Sequence, residues 1–399
     1  MVDERSHDAG IGHEVTLDRP ARVLFLEPRL GVGGAERILI NLLESFDRTR
    51  VKPSLACLFE RGAMLNQLKS KDVPVYHDLA KSRRDPRLVT ALVGVIRKER
   101  PDIIYTCNYP ITMFIGRLAG MLAGVNILVV ALHTIGYLVK PQWRRFGLKL
   151  MSPFISSLVA VSAGQKRYYV ETHGIPESKV EVIYGAVDLH FFSPDNPPAP
   201  IRADLGLSDD VPIVGIVATL RPEKRHDLFL AMAEMVHRSF PAAHFVVVGD
   251  GPERSRLEAM SNERRLTQFV HFLGNRSDVS SVLRSLDICV LCSDPVVETL
   301  PQCLLEAMAT ERPVVSTKVG SIDELVVDEA TGFLSPAGDS DLLAKRVLHL
   351  LNHPDEAREM GRAGRRRVEE HFSKETMVRR FEDLFERLVL ERESRRVGV

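Results

Sequence analysis

The sequence predicts an α/β protein made of two doubly wound, parallel-sheet domains in tandem. Three observations carry this. Apolar runs of strand length alternate with amphipathic runs of helix length over most of the chain. A glycine turn, Gly31-Val-Gly-Gly34, joins the first strand to the first helix, the opening unit of such a sheet. One proline-rich stretch, Ser193-Pro-Asp-Asn-Pro-Pro-Ala-Pro200, can sustain neither helix nor central strand, and after it the alternation restarts.

In chain order, Arg22-Val-Leu-Phe-Leu is the first strand and residues 35–46 the first helix. Strands are expected at 53–59, 73–77, 102–106, 126–131, 157–161 and 180–183, with helices at 64–71, 86–99, 111–123 and 163–172. Beyond the linker at 193–200, strands at 212–218, 244–248, 269–273, 286–291 and 313–317 alternate with helices. The tail from residue 356 reads as helical, with Ser373 as N-cap of the last helix and Thr376 in its first turn. The implied boundaries are 21–192 for an N-terminal domain, 201–375 for a C-terminal domain and 376–399 for a terminal helix.

Composition narrows the class. A chain of 399 residues has room for two cores, and 45% hydrophobic with 27% charged residues is ordinary for a globular protein. With 53 basic and 53 acidic residues no global field attracts nucleic acid, so no nucleic-acid partner is expected. Residues 1–20 carry Asp3, Glu4, Asp8, Glu14 and Asp18 without an apolar core, which reads as a disordered lead-in rather than a secretory signal. The most apolar window, 111–132, is interrupted by Arg117 and Asn126, which argues against a spanning helix. Five cysteines suggest reduced thiols and a cytoplasmic protein. Cys289 and Cys292 fit Cys-x-x-Cys but lie in an expected strand, with no second pair to complete a zinc site.

Glu298 and Glu306 bracket the segment Glu298-Thr-Leu-Pro-Gln-Cys-Leu-Leu-Glu306 between two expected strands. A strand–turn–helix reading puts Glu298 in a loop and Glu306 two turns into a helix, at the carboxyl edge where open α/β sheets bind ligands. There one carboxylate can accept hydrogen bonds from a diol such as a ribose, and the other can face a sugar or phosphate. Acids at this spacing also occur as solvated helix charges. Gly31-Val-Gly-Gly34 suits a backbone that approaches an anion at a helix N-terminus, although such a turn also arises for geometry alone. Two basic clusters stay open. Lys140-Pro-Gln-Trp-Arg-Arg-Phe-Gly-Leu-Lys149 fits either an acceptor or lipid-head-group surface or an ordinary amphipathic helix. Arg362, Arg365, Arg366 and Arg367 fit a solvated helix face or an anionic membrane contact.

The string Ser-Asp-Pro-Val-Val-Glu298-Thr-Leu-Pro-Gln-Cys-Leu-Leu-Glu306-Ala-Met-Ala, followed by Arg-Pro-Val-Val-Ser-Thr-Lys-Val-Gly-Ser-Ile-Asp-Glu-Leu-Val, resembles the retaining glycosyltransferases of family 4. The resemblance implies the GT-B architecture: two Rossmann-like domains facing across a cleft, with the terminal helix returning to the N-terminal domain. It implies transfer of a sugar from a nucleotide-diphosphate sugar to a carbohydrate, lipid-linked or small-molecule acceptor, with surface-polysaccharide or glycoconjugate assembly as the expected setting. Retention of anomeric configuration and no requirement for a metal or other cofactor come from the same source. A nucleotide-sugar epimerase on this fold and a non-catalytic nucleotide-sugar binder are the competing readings.

By this resemblance Gly33 and Gly34 contact donor phosphate and acceptor, and His133 hydrogen-bonds the transferred sugar. Lys224 stabilises the departing diphosphate. The family's matching arginine position is Thr219 here, so Arg221 is the expected substitute and Arg225 a weaker one. Gly249 lines the cleft, and backbone near Arg276 reads the nucleobase. Glu306 takes the ribose hydroxyls, Glu298 the donor sugar, and the amides of Thr299 and Leu300 the sugar or phosphate. Tyr184-Gly-Ala-Val-Asp188 departs from the family's Asn-Gly-Val-Asp, so the hinge is expected to differ locally. Nothing has the Asp-x-Asp spacing of a metal-dependent donor site, and peripheral contact with the inner membrane face is a further expectation.

Overall fold

The computed structural model describes residues 17–31, 34–107, 110–132, 148–295 and 298–397. Gly33, His133 and most of the 140–149 segment therefore lie outside the described residues.

The N-terminal sheet comprises β1 (Ala21–Glu27), β2 (Val51–Cys57), β3 (Val75–Tyr76), β4 (Ile103–Cys107), β5 (Ile127–Leu132), β6 (Ser157–Ala160) and β7 (Val180–Val182). These pair in parallel in the order β3-β2-β1-β4-β5-β6-β7. Helices α1 (Gly34–Ser45), α2 (Arg87–Glu99), α3 (Pro110–Ala123) and α4 (Ala163–His173) make the crossovers. Strands β4 and β5 are buried at every position, as a sheet covered on both faces requires. The C-terminal sheet comprises β8 (Ile213–Val217), β9 (His244–Val248), β10 (Val270–Gly274), β11 (Ile288–Leu291), β12 (Val314–Thr317) and β13 (Phe333–Ser335), ordered β10-β9-β8-β11-β12-β13. In each sheet the order reverses once, at β1/β4 and at β8/β11, and the crevice at such a reversal is where open α/β sheets take ligands.

The helices that concern the site and the domain junction are α5 (Gln302–Ala309), α6 (Ile322–Leu325), α7 (Pro354–His371) and α8 (Lys374–Val397). Helix α8 starts where expected, because the Thr376 amide donates to Ser373 Oγ at 3.1 Å. It then runs back to the N-terminal domain. Phe381, Phe385, Leu388 and Val389 join the same core as Phe25, Phe46 and Tyr105. Phe385 lies 6.2 Å from Phe25 and 6.0 Å from Phe46, ring centre to ring centre.

Several expectations need correction. The helix expected at 64–71 is only a 3-10 turn, Ala63–Gln67. Glu44 takes the amides of Lys69 and Ser70, which pulls the chain out of helical geometry. Strand β13, which the sequence reading missed, is only three residues long. Glu306 stands about one turn into α5 rather than two, because Pro301 delays the start of that helix. The lead-in expectation lies outside the described residues for 1–16, but 17–20 are ordered against the fold. There the Arg19 guanidinium donates to both Asp102 oxygens, at 2.6 and 3.0 Å. Arg365 and Arg367 are not solvated. Arg365 donates to the carbonyls of Phe192 and Ala309, and Arg367 to those of Leu325 and Glu324.

Candidate active site

The loops leaving β8 and β11 meet at the reversal point of the C-terminal sheet. Backbone hydrogen bonds stitch that edge together: Leu220 N–H to Asp250 O at 3.0 Å, Gly249 N–H to Gly274 O at 2.9 Å, and Asp294 N–H to Glu223 O at 2.9 Å. Two glycines make the fit. A Cβ at Gly249, whose φ is 135°, would lie 2.1 Å from the Ala218 carbonyl. One at Gly320, φ 58°, would lie 1.8 Å from the carbonyl of Glu298. Only a residue without a side chain lets the loop after β12 lie so close behind Glu298.

On this platform Lys224 and Glu298 form a largely buried ion pair. Ser293 Oγ donates to the same carboxylate oxygen at 2.6 Å. Burial alone would lower the Lys224 ammonium, but the adjoining Glu298 carboxylate outweighs it and holds the cation charged. Behind the pair sits His226, buried, with neither ring nitrogen hydrogen-bonded among the described residues. Desolvation, reinforced by Lys224, pushes that imidazole down to about 4, so it is neutral near pH 7 and adds no charge to the site.

Glu306 projects one turn further along α5. Desolvation pushes its carboxyl up to about 7, tempered by Arg37 of α1 in the opposite domain. The amides of Thr299 and Leu300, before the first turn of α5, donate to no acceptor among the described residues. Arg221 is exposed at the same edge and makes no side-chain hydrogen bond among the described residues. Thr219 is exposed there too. Arg225, by contrast, is committed to the fold. It has φ 50° and ion-pairs with Asp227 at 2.9 Å and Asp294 at 3.0 Å. Arg276 is forked onto Asp278, at 2.6 Å, on the loop after β10.

The structure thus brings Lys224, Glu298 and Ser293 into direct contact, with Thr299, Leu300 and Glu306 following on the same loop and helix. Arg221 shares the β8 loop with Lys224, and Gly249 is hydrogen-bonded to the neighbouring edge. Gly34 is the first residue of α1. Sequence reasoning missed Ser293, His226, Gly320 and Glu27. Glu27 ends β1 at the opposing sheet's reversal point, where burial and then Glu36 raise its carboxyl well above the usual range. An acid closing an otherwise apolar strand was a legible signal; burial of His226 was not.

The domains also touch directly. Glu324 of α6 accepts the Ala163 and Gly164 amides at the start of α4, at 2.8 and 2.7 Å, and the Tyr184 hydroxyl at 3.1 Å. Ser321 Oγ lies 2.8 Å from Ser162 Oγ. The hinge variant Tyr184 is thereby part of the junction.

A family model described as "Glycosyl transferases group 1" matches residues 199–367, and one described as "Glycosyltransferase Family 4" matches residues 32–191. An N-acetyl-alpha-D-glucosaminyl L-malate synthase of Bacillus anthracis is 27% identical over 317 residues, 75% of this chain and 78% of that protein. A UDP-Gal:alpha-D-GlcNAc-diphosphoundecaprenol alpha-1,3-galactosyltransferase of Escherichia coli is 26% identical over 326 residues, 78% and 82%. Among solved structures, Anabaena HepE in complex with UDP superposes with a TM-score of 0.79 at 24% identity, covering 91% of this chain and 99% of that one.

Proposed function

From the premise that this chain belongs to the family 4, group 1 glycosyltransferases, we propose a retaining transfer from a UDP-sugar to a hydroxyl acceptor in glycoconjugate or surface-polysaccharide assembly. The Lys224–Glu298 pair at the reversal point of the C-terminal sheet carries this reading. The family membership favours transfer over the epimerase alternative. A uridine donor is suggested by the E. coli relative, whose name specifies UDP-Gal, and by HepE, a fold neighbour bound to UDP.

In this reading the C-terminal domain holds the donor and the N-terminal domain the acceptor. Lys224 and Arg221 face the diphosphate, with the free amides before α5 supplementing them, since a helix N-terminus favours an anion. Glu306 accepts the two ribose hydroxyls, and Glu298 both orients Lys224 and accepts a hydroxyl of the transferred sugar. Backbone beside Arg276 faces the base, and the family resemblance assigns sugar and acceptor contacts to Gly33, Gly34 and His133.

As the bond from the sugar C1 to the β-phosphate oxygen breaks, negative charge collects on the diphosphate, where Lys224 is already fixed and charged. The acceptor oxygen bonds C1 on the same face, and its proton passes to the departing phosphate oxygen. Charge neutralisation by side chains and amides gives a reaction that persists in a chelator.

The test is Glu298→Gln. Transfer to acceptor should fall about a hundredfold or more, while UDP still raises the melting temperature. Unchanged turnover would remove Glu298 from the site. An NMR assignment of the product's anomeric centre decides between retention and inversion.

A further inference from the structure

Six of the eight large apolar side chains that stand exposed among the described residues lie between residues 114 and 154. Phe114, Leu118, Met121 and Leu122 recur at helical spacing on the outer face of α3, with exposures of 39, 46, 52 and 58%. Leu150 and Phe154 extend the face, and the Arg117 guanidinium, 5.7 Å over the Phe154 ring, joins the two segments. Helix α3 cannot turn this stripe inward. Its inner face carries Gly116 and Gly120, where a Cβ would fall 2.9 Å from Leu26 and 2.8 Å from Ile104, so small residues set the helix tight on the sheet in one orientation.

Charge is segregated onto the same stretch. Residues 103–170 contain no Asp or Glu, although 53 acids in 399 residues would place about nine there. They do contain Arg117, Lys140, Arg144, Arg145, Lys149, Lys166 and Arg167, in a chain whose net charge is zero. Lys166 is paired with Glu177 at 3.2 Å, but an apolar stripe beside Arg117 and the exposed Lys149, in a stretch free of acids, has the chemistry of a surface that lies in the head-group layer of an anionic bilayer. No described helix is long and apolar enough to cross one.

We propose that the outer face of α3, with Leu150 and Phe154, docks this protein onto anionic lipid, its apolar side chains entering the interface and the flanking cations facing phosphate. The inference does not rest on the donor-site assignments.

The test is co-sedimentation of the full chain with phosphatidylcholine vesicles containing about a quarter phosphatidylglycerol, against vesicles of phosphatidylcholine alone. Trp143, the only tryptophan, provides an intrinsic fluorescence readout. Binding to the anionic vesicles is expected, weakened by salt and by omission of phosphatidylglycerol. Leu118→Glu with Leu122→Glu should lower the bound fraction by about tenfold or more without changing the melting temperature, because both positions are solvent-facing. Lys149→Glu should weaken binding separately and tests the charge without touching packing. No vesicle binding, binding that ignores these substitutions, or concentration-dependent self-association abolished by the leucine pair would each overturn the proposal.

Discussion

At the scale of single residues, the site depends on how burial resets ordinary chemistry. Glu306 keeps its proton up to about 7 when folded, whereas an unfolded glutamate releases it near its reference value of 4.5. The folded state therefore binds more protons between those values, and linkage fixes the sign. The stabilising contribution is fully present below about 4.5 and is lost as pH rises through about 7, a change on the order of 3 kcal/mol. Glu306→Gln removes that slope. The variant's melting temperature relative to wild type should thus rise between pH 5 and pH 8, measured by calorimetry without ligand. A gap that does not vary with pH would show that Glu306 is not desolvated. Lys224, Glu298 and Glu306 were legible because they stand at fixed intervals in recognisable strings. His226 was not, because its burial comes from packing that no local pattern announces. Arg225 shows the reverse: a cation beside the expected phosphate site is taken up by Asp227 and Asp294.

At the scale of elements, strands were legible and their exact partners were not. Apolar runs between turn residues marked β8, β9, β11 and β12 within a residue or two, since a strand buried on both faces must be apolar throughout. The turn at 63–67 was misread as a longer helix because Glu44, distant in sequence, takes the amides that would have continued it. The loop after β12 carries a consequence for the chemistry. Gly320→Ala would place a methyl carbon against the Glu298 carbonyl and demand φ 58° of a non-glycine residue. Something must move, and the backbone holding Glu298 is the atom group in the way. The expected result is a loss of about 1–3 kcal/mol in stability with a disproportionate fall in kcat, the donor site being displaced before the fold is lost. Urea melts paired with steady-state kinetics check it. Wild-type kcat in Gly320→Ala would show the Glu298 loop to be tolerant. Helix α6, next along, tests a different property. Removing the Glu324 carboxylate with Glu324→Ala frees the Ala163 and Gly164 amides and the Tyr184 hydroxyl together. The two domains should then sample wider separations, visible as a larger radius of gyration by small-angle scattering, with an unchanged melt. An identical scattering profile would mean that the Ser321–Ser162 contact suffices to hold the junction.

At the scale of the whole molecule, the two sheets present their reversal points to one another, and the chain secures that relation by crossing back. The sequence made the final helix and its cap visible, but not the depth to which it penetrates, because nothing local to residues 374–397 reveals which core receives it. Phe381, Phe385, Leu388 and Val389 complete a core whose other members include residues of β1, β2, β4, β5 and α1, all far away in the chain. Arg50 strengthens the attachment, reaching Glu382 at 3.0 Å and Asp383 at 2.8 Å. The N-terminal domain is therefore incomplete until the last residues are made, whereas the core around β8 and β9 draws on none of them. Phe385→Ala should accordingly destabilise one domain selectively. The ring is fully buried against Phe25, Phe46 and Tyr105, and its truncation costs about 3–5 kcal/mol. Hydrogen exchange resolved by peptide reads the distribution. Protection should fall across β1, β2 and β4 while β8, β9 and β11 keep theirs, and UDP, which we assign to the C-terminal domain, should still bind. Equal loss in both sheets would instead mean that the domains unfold as one unit, coupled through Glu324 and the hinge at Tyr184 rather than separately closed.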